Sequence, residues 1–163
     1  MDLTAKNNPL EDTSTVTKAD GERTVLIQGA ASDAMTAKVK KDTKRILVVD
    51  DDEDIVKLVK MYLEHHRYEV ITANDGQQGL EKAKTEKPDL IVLDLMLPKI
   101  DGYKVCDLLK KDARYAKTPV ILFTAKTQGK DIEIGQEVGA DAYLIKPFEP
   151  EILLAKIKKL LKE

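Results

Sequence analysis

Several apolar runs in this sequence end directly before side chains that could do chemistry. The acidic run Asp50–Asp54 follows one of these runs, and Asp94, Thr124 and Lys146 follow three others. Neighbouring carboxylates repel one another unless a cation lies between them, and Mg²⁺ prefers oxygen ligands that include carboxylates. A carboxylate can also accept a phosphoryl group to form an aspartyl phosphate. If the fold brings these residues together, they indicate magnesium-assisted phosphorylation of Asp94.

A regular fold is needed to bring these residues together, because they are far apart in the sequence. From Lys44 onward, short apolar runs rich in β-branched residues recur, which is typical of strands buried on both faces. The five runs are Ile46–Val49, Val70–Thr72, Leu90–Leu93, Val120–Phe123 and Tyr143–Ile145. Four of the five are followed directly by the acidic run or by one of the other reactive residues.

The segments between the runs have the spacing of helices. In the first segment, apolar residues at i, i+3, i+4, i+7 and i+8 form one helix face: Ile55, Leu58, Val59, Tyr62 and Leu63. Pro150 is placed to begin the last helix. Five β–α units with right-handed connections predict an α/β fold, a doubly wound five-stranded parallel sheet with helices on both faces. Ligands of such sheets bind at the carboxyl ends of the strands, where the reactive residues all fall.

Each reactive residue also has an ordinary structural interpretation when it is taken alone. An aspartate after a strand is often a turn former or a helix cap, and the acidic run Asp50–Asp54 could be a solvated helix start. Thr124 could cap the following helix, and Lys146 could be a surface lysine. The coincidence of four such positions at one sheet edge favours a functional site.

The overall composition is that of a globular protein without a marked charge surplus. Of 163 residues, 42% are hydrophobic and 34% are charged, and the formal net charge is -2. Binding to nucleic acid depends on surplus Lys and Arg, so this balance argues against it. Cys106 is the one cysteine, which excludes an internal disulfide and indicates a reducing compartment. No apolar run approaches the ~20 residues that span a bilayer, so we expect a soluble, cytoplasmic protein.

The first 43 residues differ from the rest. They carry scattered polar residues with little apolar periodicity, and the short run Val25–Ile27 is too brief to build a core. We predict that residues 1–43 are an N-terminal extension that is mostly disordered, and that residues 44–163 form the folded domain.

Four segments together carry a family resemblance: Arg45–Asp54, Leu93–Gly102, Thr124–Ala125 and Gly139–Phe148. In this order and spacing they resemble the receiver domains of bacterial response regulators, over residues 44–163. The resemblance implies a flavodoxin-like strand order 2-1-3-4-5. It also implies a phosphoacceptor of a two-component phosphorelay, which catalyses only its own phosphorylation and dephosphorylation and is otherwise no enzyme.

The resemblance assigns a role to each matching residue. Asp94 is the phosphorylation site, and Thr124 and Lys146 assist the phosphoryl transfer. Four residues are the implied Mg²⁺ ligands, the last through its backbone carbonyl: Asp50, Asp51, Asp94 and Met96. Asp52 lies outside this set.

The resemblance also implies a conformational switch. Thr124 should reorient toward the phosphoryl group and Tyr143 should turn inward, which shifts the face formed by helix four, strand five and helix five. The Lys146–Pro147 peptide bond is cis in this family. Met96 and Lys126, two residues beyond Asp94 and Thr124, should shield the acyl phosphate from water and give a long-lived phosphorylated state.

The implied partners are a sensor histidine kinase or histidine phosphotransfer protein and a downstream protein target. We expect no direct contact with nucleic acid and no membrane insertion. The chain stops at Glu163 without an output domain, so we expect a stand-alone receiver. Ala142 replaces a residue that is often acidic in receiver dimers, so we expect a monomer or a weak, phosphorylation-dependent dimer.

Three other functions fit the sequence less well. A degenerate docking receiver would lack one of the reactive residues, and none is missing. A small α/β phosphatase or nucleotide-binding enzyme would need a phosphate-binding loop or an acid two residues after Asp94, and this sequence has neither. DNA binding could use lysines that are better explained as the solvated face of the last helix: Lys156, Lys158, Lys159 and Lys162.

Overall fold

A computed structural model of the chain describes residues 16–17, 23–24, 42–125 and 129–163. Its main feature is a five-stranded parallel sheet. The strands are β1 Arg45–Val49, β2 Glu69–Ala73, β3 Leu90–Asp94, β4 Val120–Thr124 and β5 Ala142–Ile145. They lie side by side in the order β2-β1-β3-β4-β5. The helices are α1 Glu53–His65, α2 Gly76–Glu86, α3 Gly102–Lys111, α4 Gly129–Glu137 and α5 Pro150–Leu161. This confirms the predicted α/β fold and strand order.

The apolar runs form strands because both faces of the sheet are covered. Residues of β1 alternate between two apolar clusters, as a period of two requires. Ile46 and Val48 pack with side chains of α1 and α5, whereas Leu47 and Val49 pack with side chains of α2 and α3. The strands β3 and β4 are buried along their whole length. The carboxyl ends of the central strands β1, β3 and β4 are therefore anchored between two cores.

Aspartate side chains cap the N-termini of three of the helices. Asp52 accepts hydrogen bonds from the backbone N–H groups of Asp54 and Ile55 at the start of α1. Asp75 caps α2 and Asp101 caps α3 in the same way, which satisfies N–H groups that have no partner within the helix. Pro150 stands in the first turn of α5, as predicted.

The contacts of the chain divide it into two units, residues Met1–Asp42 and Thr43–Glu163. Within the first unit, Val16–Thr17 pairs with Arg23–Thr24 as two antiparallel strands. Apart from residues 16–17, 23–24 and 42–43, the predicted disorder of residues 1–43 concerns positions outside the described residues. In the described part of the chain, no helix has both the length and the apolar character needed to cross a bilayer.

The buried residue Tyr68 gives a pH-dependent prediction. Its hydroxyl donates a 2.6 Å hydrogen bond to Glu163 Oε2, and burial together with that carboxylate raises the pKa of the phenol. The protonated phenol is therefore favoured in the folded state. Its contribution to the free energy of unfolding is complete below pH 10 and is lost as the pH rises further. We expect Tyr68→Phe to lower the free energy of unfolding by about 1 kcal/mol at neutral pH.

The measurement is urea unfolding followed by circular dichroism, at neutral pH and near pH 11. The difference between the unmodified protein and Tyr68→Phe should shrink at the higher pH. A difference that is absent at neutral pH, or that grows with pH, would contradict this role for the hydroxyl.

Candidate functional site

Three carboxylates converge at the carboxyl ends of the two adjacent strands β1 and β3. Asp50 follows β1 and Asp94 is the last residue of β3; both are buried, whereas Asp51 is exposed. One carboxylate oxygen from each residue lies within 4.8 Å of those of the other two. The structure thus brings together the three aspartates predicted from the sequence. Asp52 is not in this cluster, because its side chain caps α1.

Lys146 extends from the end of β5 into the carboxylate cluster. Its Nζ atom lies 2.8 Å from Asp50 Oδ2 and 3.3 Å from Asp94 Oδ2. The same ammonium group lies 4.7 Å from the centre of the Phe123 ring, a cation–π contact. The predicted cis peptide bond between Lys146 and Pro147 is present. Lys146 is therefore a partly buried component of the cluster and not a surface lysine.

The electrostatics of the cluster favour a cation. Burial, and next the charge of Asp50, raise the pKa of Asp94 to about 6, against the opposing effect of Lys146. Burial by itself would lower the pKa of Lys146, but its contacts with Asp50 and Asp94 outweigh that effect and raise it. Three carboxylates against one ammonium group leave an excess of negative charge. The donor set, hard oxygen atoms with excess negative charge, fits Mg²⁺.

Met96 and Thr124 lie close to the acidic cluster. The backbone N–H of Met96 donates to Asp94 Oδ1 at 3.3 Å. The exposed side chain of Met96 lines a cavity of about 440 Å³ that also borders Asp51. Thr124 is fully buried at the end of β4, one residue beyond the position paired with Asp94. The backbone N–H of Lys146 donates to the Thr124 carbonyl at 2.7 Å, so these two residues are joined directly.

Tyr143 lies on the edge strand β5, half-buried, and packs against the apolar cluster that contains Leu122. A Cβ atom on Gly135 of α4 would lie 3.4 Å from the Tyr143 ring, so the ring contacts this helix where it has no side chain. Tyr143 thus lies between the sheet and α4. Lys126, predicted to flank the phosphoryl group, falls outside the described residues.

Gly102 also contributes to the site, although in the sequence the pair Asp101-Gly102 is only typical of a turn. Its backbone N–H donates to the Leu95 carbonyl at 3.0 Å. A Cβ atom at this position would overlap the carbonyl group of Asp94 and would lie 2.8 Å from Leu95 Cα. The first turn of α3 can therefore pack directly on the backbone that carries Asp94. The turn motif Asp101-Gly102 was the signal for this contact, but a turn does not specify which backbone lies against it.

The lysine of the cluster gives a stability prediction. We expect Lys146→Met to lower the free energy of unfolding at neutral pH by about 2 kcal/mol, because a buried pair that loses one partner leaves uncompensated charge. The cost stays moderate because Asp94 can take up a proton. Lys111→Met is the matched control, since Lys111 forms an exposed pair with Asp107 worth less than about 1 kcal/mol. Urea unfolding measures both variants, and equal losses would contradict the expectation.

The comparisons with known proteins identify the family. The family model of the response regulator receiver domain matches residues 46–158, and the chain belongs to this family. It is therefore a receiver domain of the two-component response regulators, with the role of a phosphoacceptor. Receivers of this family bind Mg²⁺ at an acidic pocket, and sensor histidine kinases phosphorylate response regulators.

Two curated relatives show the extent of the similarity. The chain is 50% identical over 119 residues to the alkaline phosphatase synthesis transcriptional regulatory protein PhoP of Bacillus subtilis, covering 73% of this chain and 49% of PhoP. It is 48% identical over 118 residues to the DNA-binding dual master transcriptional regulator RpaA of Synechocystis, covering 72% of this chain and 49% of RpaA. The chain thus spans about half the length of these relatives.

Solved structures show the same fold. A response regulator receiver domain protein (CheY-like) of Methanospirillum hungatei matches with a TM-score of 0.70 and 35% identity, over 74% of this chain and 94% of that one. The chemotaxis response regulator CheY4 of Vibrio cholerae matches with a TM-score of 0.69 and 33% identity, over 72% of this chain and 98% of that one. The similarity covers nearly the whole of both receivers.

Proposed function

We propose that Asp94 is the phosphoacceptor of this receiver and that its donor is a sensor histidine kinase or a histidine phosphotransfer protein. A carboxylate oxygen of Asp94 forms the new bond to phosphorus while the bond from phosphorus to the donor's nitrogen breaks, and the donor imidazole leaves. The observation that carries this proposal is the position of Asp94, buried and within reach of two further carboxylates and an ammonium group. The chain thereby catalyses its own phosphorylation and, with water as the acceptor, its dephosphorylation.

The remaining residues of the cluster have distinct proposed roles. Asp50, Asp51, Asp94 and the backbone carbonyl of Met96 would hold Mg²⁺. When bound, the ion supplies positive charge to the phosphoryl oxygens. Lys146 donates a hydrogen bond to a phosphoryl oxygen from the side of β5, and the Thr124 hydroxyl donates a hydrogen bond to a phosphoryl oxygen from the end of β4. Together these groups compensate the negative charge that phosphoryl transfer brings into a largely buried site.

We propose that the signal passes through Thr124 and Tyr143. Phosphorylation replaces one carboxylate charge with nearly two negative charges, so the Thr124 hydroxyl and the Lys146 ammonium group are drawn toward the new group. Tyr143 then turns into the space that Thr124 leaves. Because Tyr143 also contacts α4 at Gly135, this movement shifts the face formed by α4, β5 and α5 and biases an existing equilibrium between two conformations.

This face controls binding to a downstream protein in our proposal. The net charge of -2 gives the chain no basic surplus for direct contact with nucleic acid, so we assign the output to protein contact. We propose that the chain acts in the cytoplasm as a monomer or as a weak, phosphorylation-dependent dimer.

We also propose that the phosphorylated state is long-lived. Met96 lines the cavity beside Asp51 with an exposed apolar side chain, where it limits the access of water to the acyl phosphate. Lys126, two residues beyond Thr124 in the sequence, is proposed to add to this shielding.

The test is to incubate the chain with acetyl phosphate, with and without Mg²⁺, and to measure its intact mass. The chain has no tryptophan, so mass is a better measure than intrinsic fluorescence. We expect the gain of one phosphoryl group only with Mg²⁺, and peptide mapping should place it on Asp94. Removal of acetyl phosphate then gives the lifetime. Phosphorylation of another residue, or phosphorylation that does not depend on Mg²⁺, would contradict the proposed function.

A further inference from the structure

The loop between β3 and α3, residues 95–101, packs against the first turn of α2. The backbone N–H of Gly76 donates to the Pro98 carbonyl at 3.2 Å, and the N–H of Ile100 donates to the same carbonyl at 2.8 Å. The Pro98 carbonyl is thus shared between the helix and the loop itself. The hydrogen bond from the Gly102 N–H to the Leu95 carbonyl joins the two ends of the loop.

Gly76 permits this contact because it has no side chain. A Cβ atom there would overlap the Ile100 carbonyl oxygen and would lie 2.6 Å from its carbon atom. These are backbone atoms, which cannot rotate away as a side chain can. Any residue other than glycine at this position must therefore displace either the helix or the loop.

A second contact between the same elements involves charged side chains. Lys99 has a φ angle of 69°, in the left-handed region that few residues other than glycine adopt. Its Nζ atom lies 3.4 Å from Asp75 Oδ2, while Asp75 Oδ1 accepts a 2.7 Å hydrogen bond from the Gln78 N–H. The backbone bond with Gln78, and then Lys99, lower the pKa of Asp75. The cap of α2 is thus also an ion-pair partner of the loop.

This loop carries Met96, whose backbone carbonyl is a proposed Mg²⁺ ligand. We infer that α2 positions that carbonyl for the metal site: Gly76 and the Asp75–Lys99 pair are positioning residues that set the conformation of residues 95–101. The inference rests on the proposed function, since it assigns to these residues an effect on magnesium affinity. Asp75, Gly76 and Lys99 do not belong to the acidic cluster itself, so their effect on magnesium affinity has to pass through the loop.

The test compares Gly76→Ala with Gly79→Ala in the full chain. The three atoms nearest to a Cβ atom on Gly79, in the same helix, all belong to the side chain of Val49, the closest at 2.9 Å, so this control presses on a core side chain and not on the backbone of the loop. Magnesium affinity is measured by calorimetry, and the backbone amide resonances of Met96 and Leu97 are followed by NMR during the titration. We expect Gly76→Ala to weaken magnesium binding about tenfold, as changes around metal ligands typically do, and Gly79→Ala to lower the melting temperature without changing the affinity.

A milder pair of variants guards against simple misfolding of Gly76→Ala. Asp75→Asn keeps the helix cap, because asparagine caps as well as aspartate, but removes the charge that pairs with Lys99; Lys99→Met removes the other charge. Each should weaken magnesium binding about two- to fivefold, and the double variant should be no worse than either alone.

Unchanged magnesium affinity in Gly76→Ala and in both charge variants would overturn the inference while the proposed function stands. Failure of the unmodified chain to bind magnesium would overturn the proposed function, and the inference with it.

Discussion

An Asp94→Asn variant is expected to gain no phosphoryl group from acetyl phosphate under conditions in which the unmodified chain is fully converted. The amide is neutral and a poor nucleophile, and loss of a nucleophile typically lowers a rate by about three orders of magnitude or more. The variant should remain folded. Burial and the neighbouring charge of Asp50 raise the pKa of Asp94 to about 6, so the fold disfavours the charged form that the substitution removes.

Intact mass, recorded over time with Mg²⁺ present, measures this effect. Asp107→Asn is the matched control, because Asp107 lies on α3 in an exposed ion pair with Lys111 and should be phosphorylated normally at Asp94. Phosphorylation of Asp94→Asn at the rate of the control would exclude Asp94 as the acceptor. A stability below that of the unmodified chain would contradict the electrostatic explanation.

Gly102→Ala should destabilise the domain more than an alanine substitution at a glycine that faces only side chains. The added methyl group would overlap the carbonyl group of Asp94 and would lie 2.8 Å from Leu95 Cα. Both belong to backbone held between two cores, so α3 or the end of β3 must move. Overpacking typically costs 1–3 kcal/mol; with no side chain able to yield, we expect a loss of about 3 kcal/mol in the free energy of unfolding.

Gly135→Ala provides the comparison. Its Cβ atom would lie 3.2 Å from Leu122 Cδ1 and 3.4 Å from the Tyr143 ring, which are side-chain atoms that can adjust. The better helix propensity of alanine offsets part of that cost, so the net change should stay within about 1 kcal/mol. Urea unfolding of both variants tests the contrast, and similar losses would show that the backbone contact at Gly102 does not matter as argued.

The strands were predictable because their burial is visible in the sequence. Each apolar run, such as Leu90–Leu93, agrees with the observed strand to within one residue at either end. Strands covered on both faces need continuous apolar runs, and few other segments have them. The convergence of Asp50, Asp94, Thr124 and Lys146 then followed from parallel strands alone, because their carboxyl ends share one edge. The family resemblance added the strand order.

Other features depend on contacts that a linear pattern does not contain. The turn at Gly102 was visible, but its contact with the Asp94 carbonyl arises only when α3 is laid on β3. The contact between Gly76 and Ile100 likewise joins the first turn of α2 to the loop that follows β3. Asp52 could not be recognised as the cap of α1 until the helix start was known. Such backbone contacts require only the absence of a side chain, and many glycines satisfy that condition.

The strand β3, which ends in Asp94, lies at the centre of the sheet, with β1 on one side and β4 on the other. Amide protons in such a strand typically exchange with solvent only when the whole domain unfolds, whereas those of edges and loops exchange through small local openings. We therefore expect the amide protons of β3, which carries Asp94, to exchange more slowly than those of the edge strands. Within the described part of the chain, the edge strand β5, with Tyr143, pairs on one side only and should open at a lower free energy. In the proposed mechanism, phosphorylation therefore takes place at the more stable centre of the sheet, and the change at Tyr143 takes place on its less stable edge.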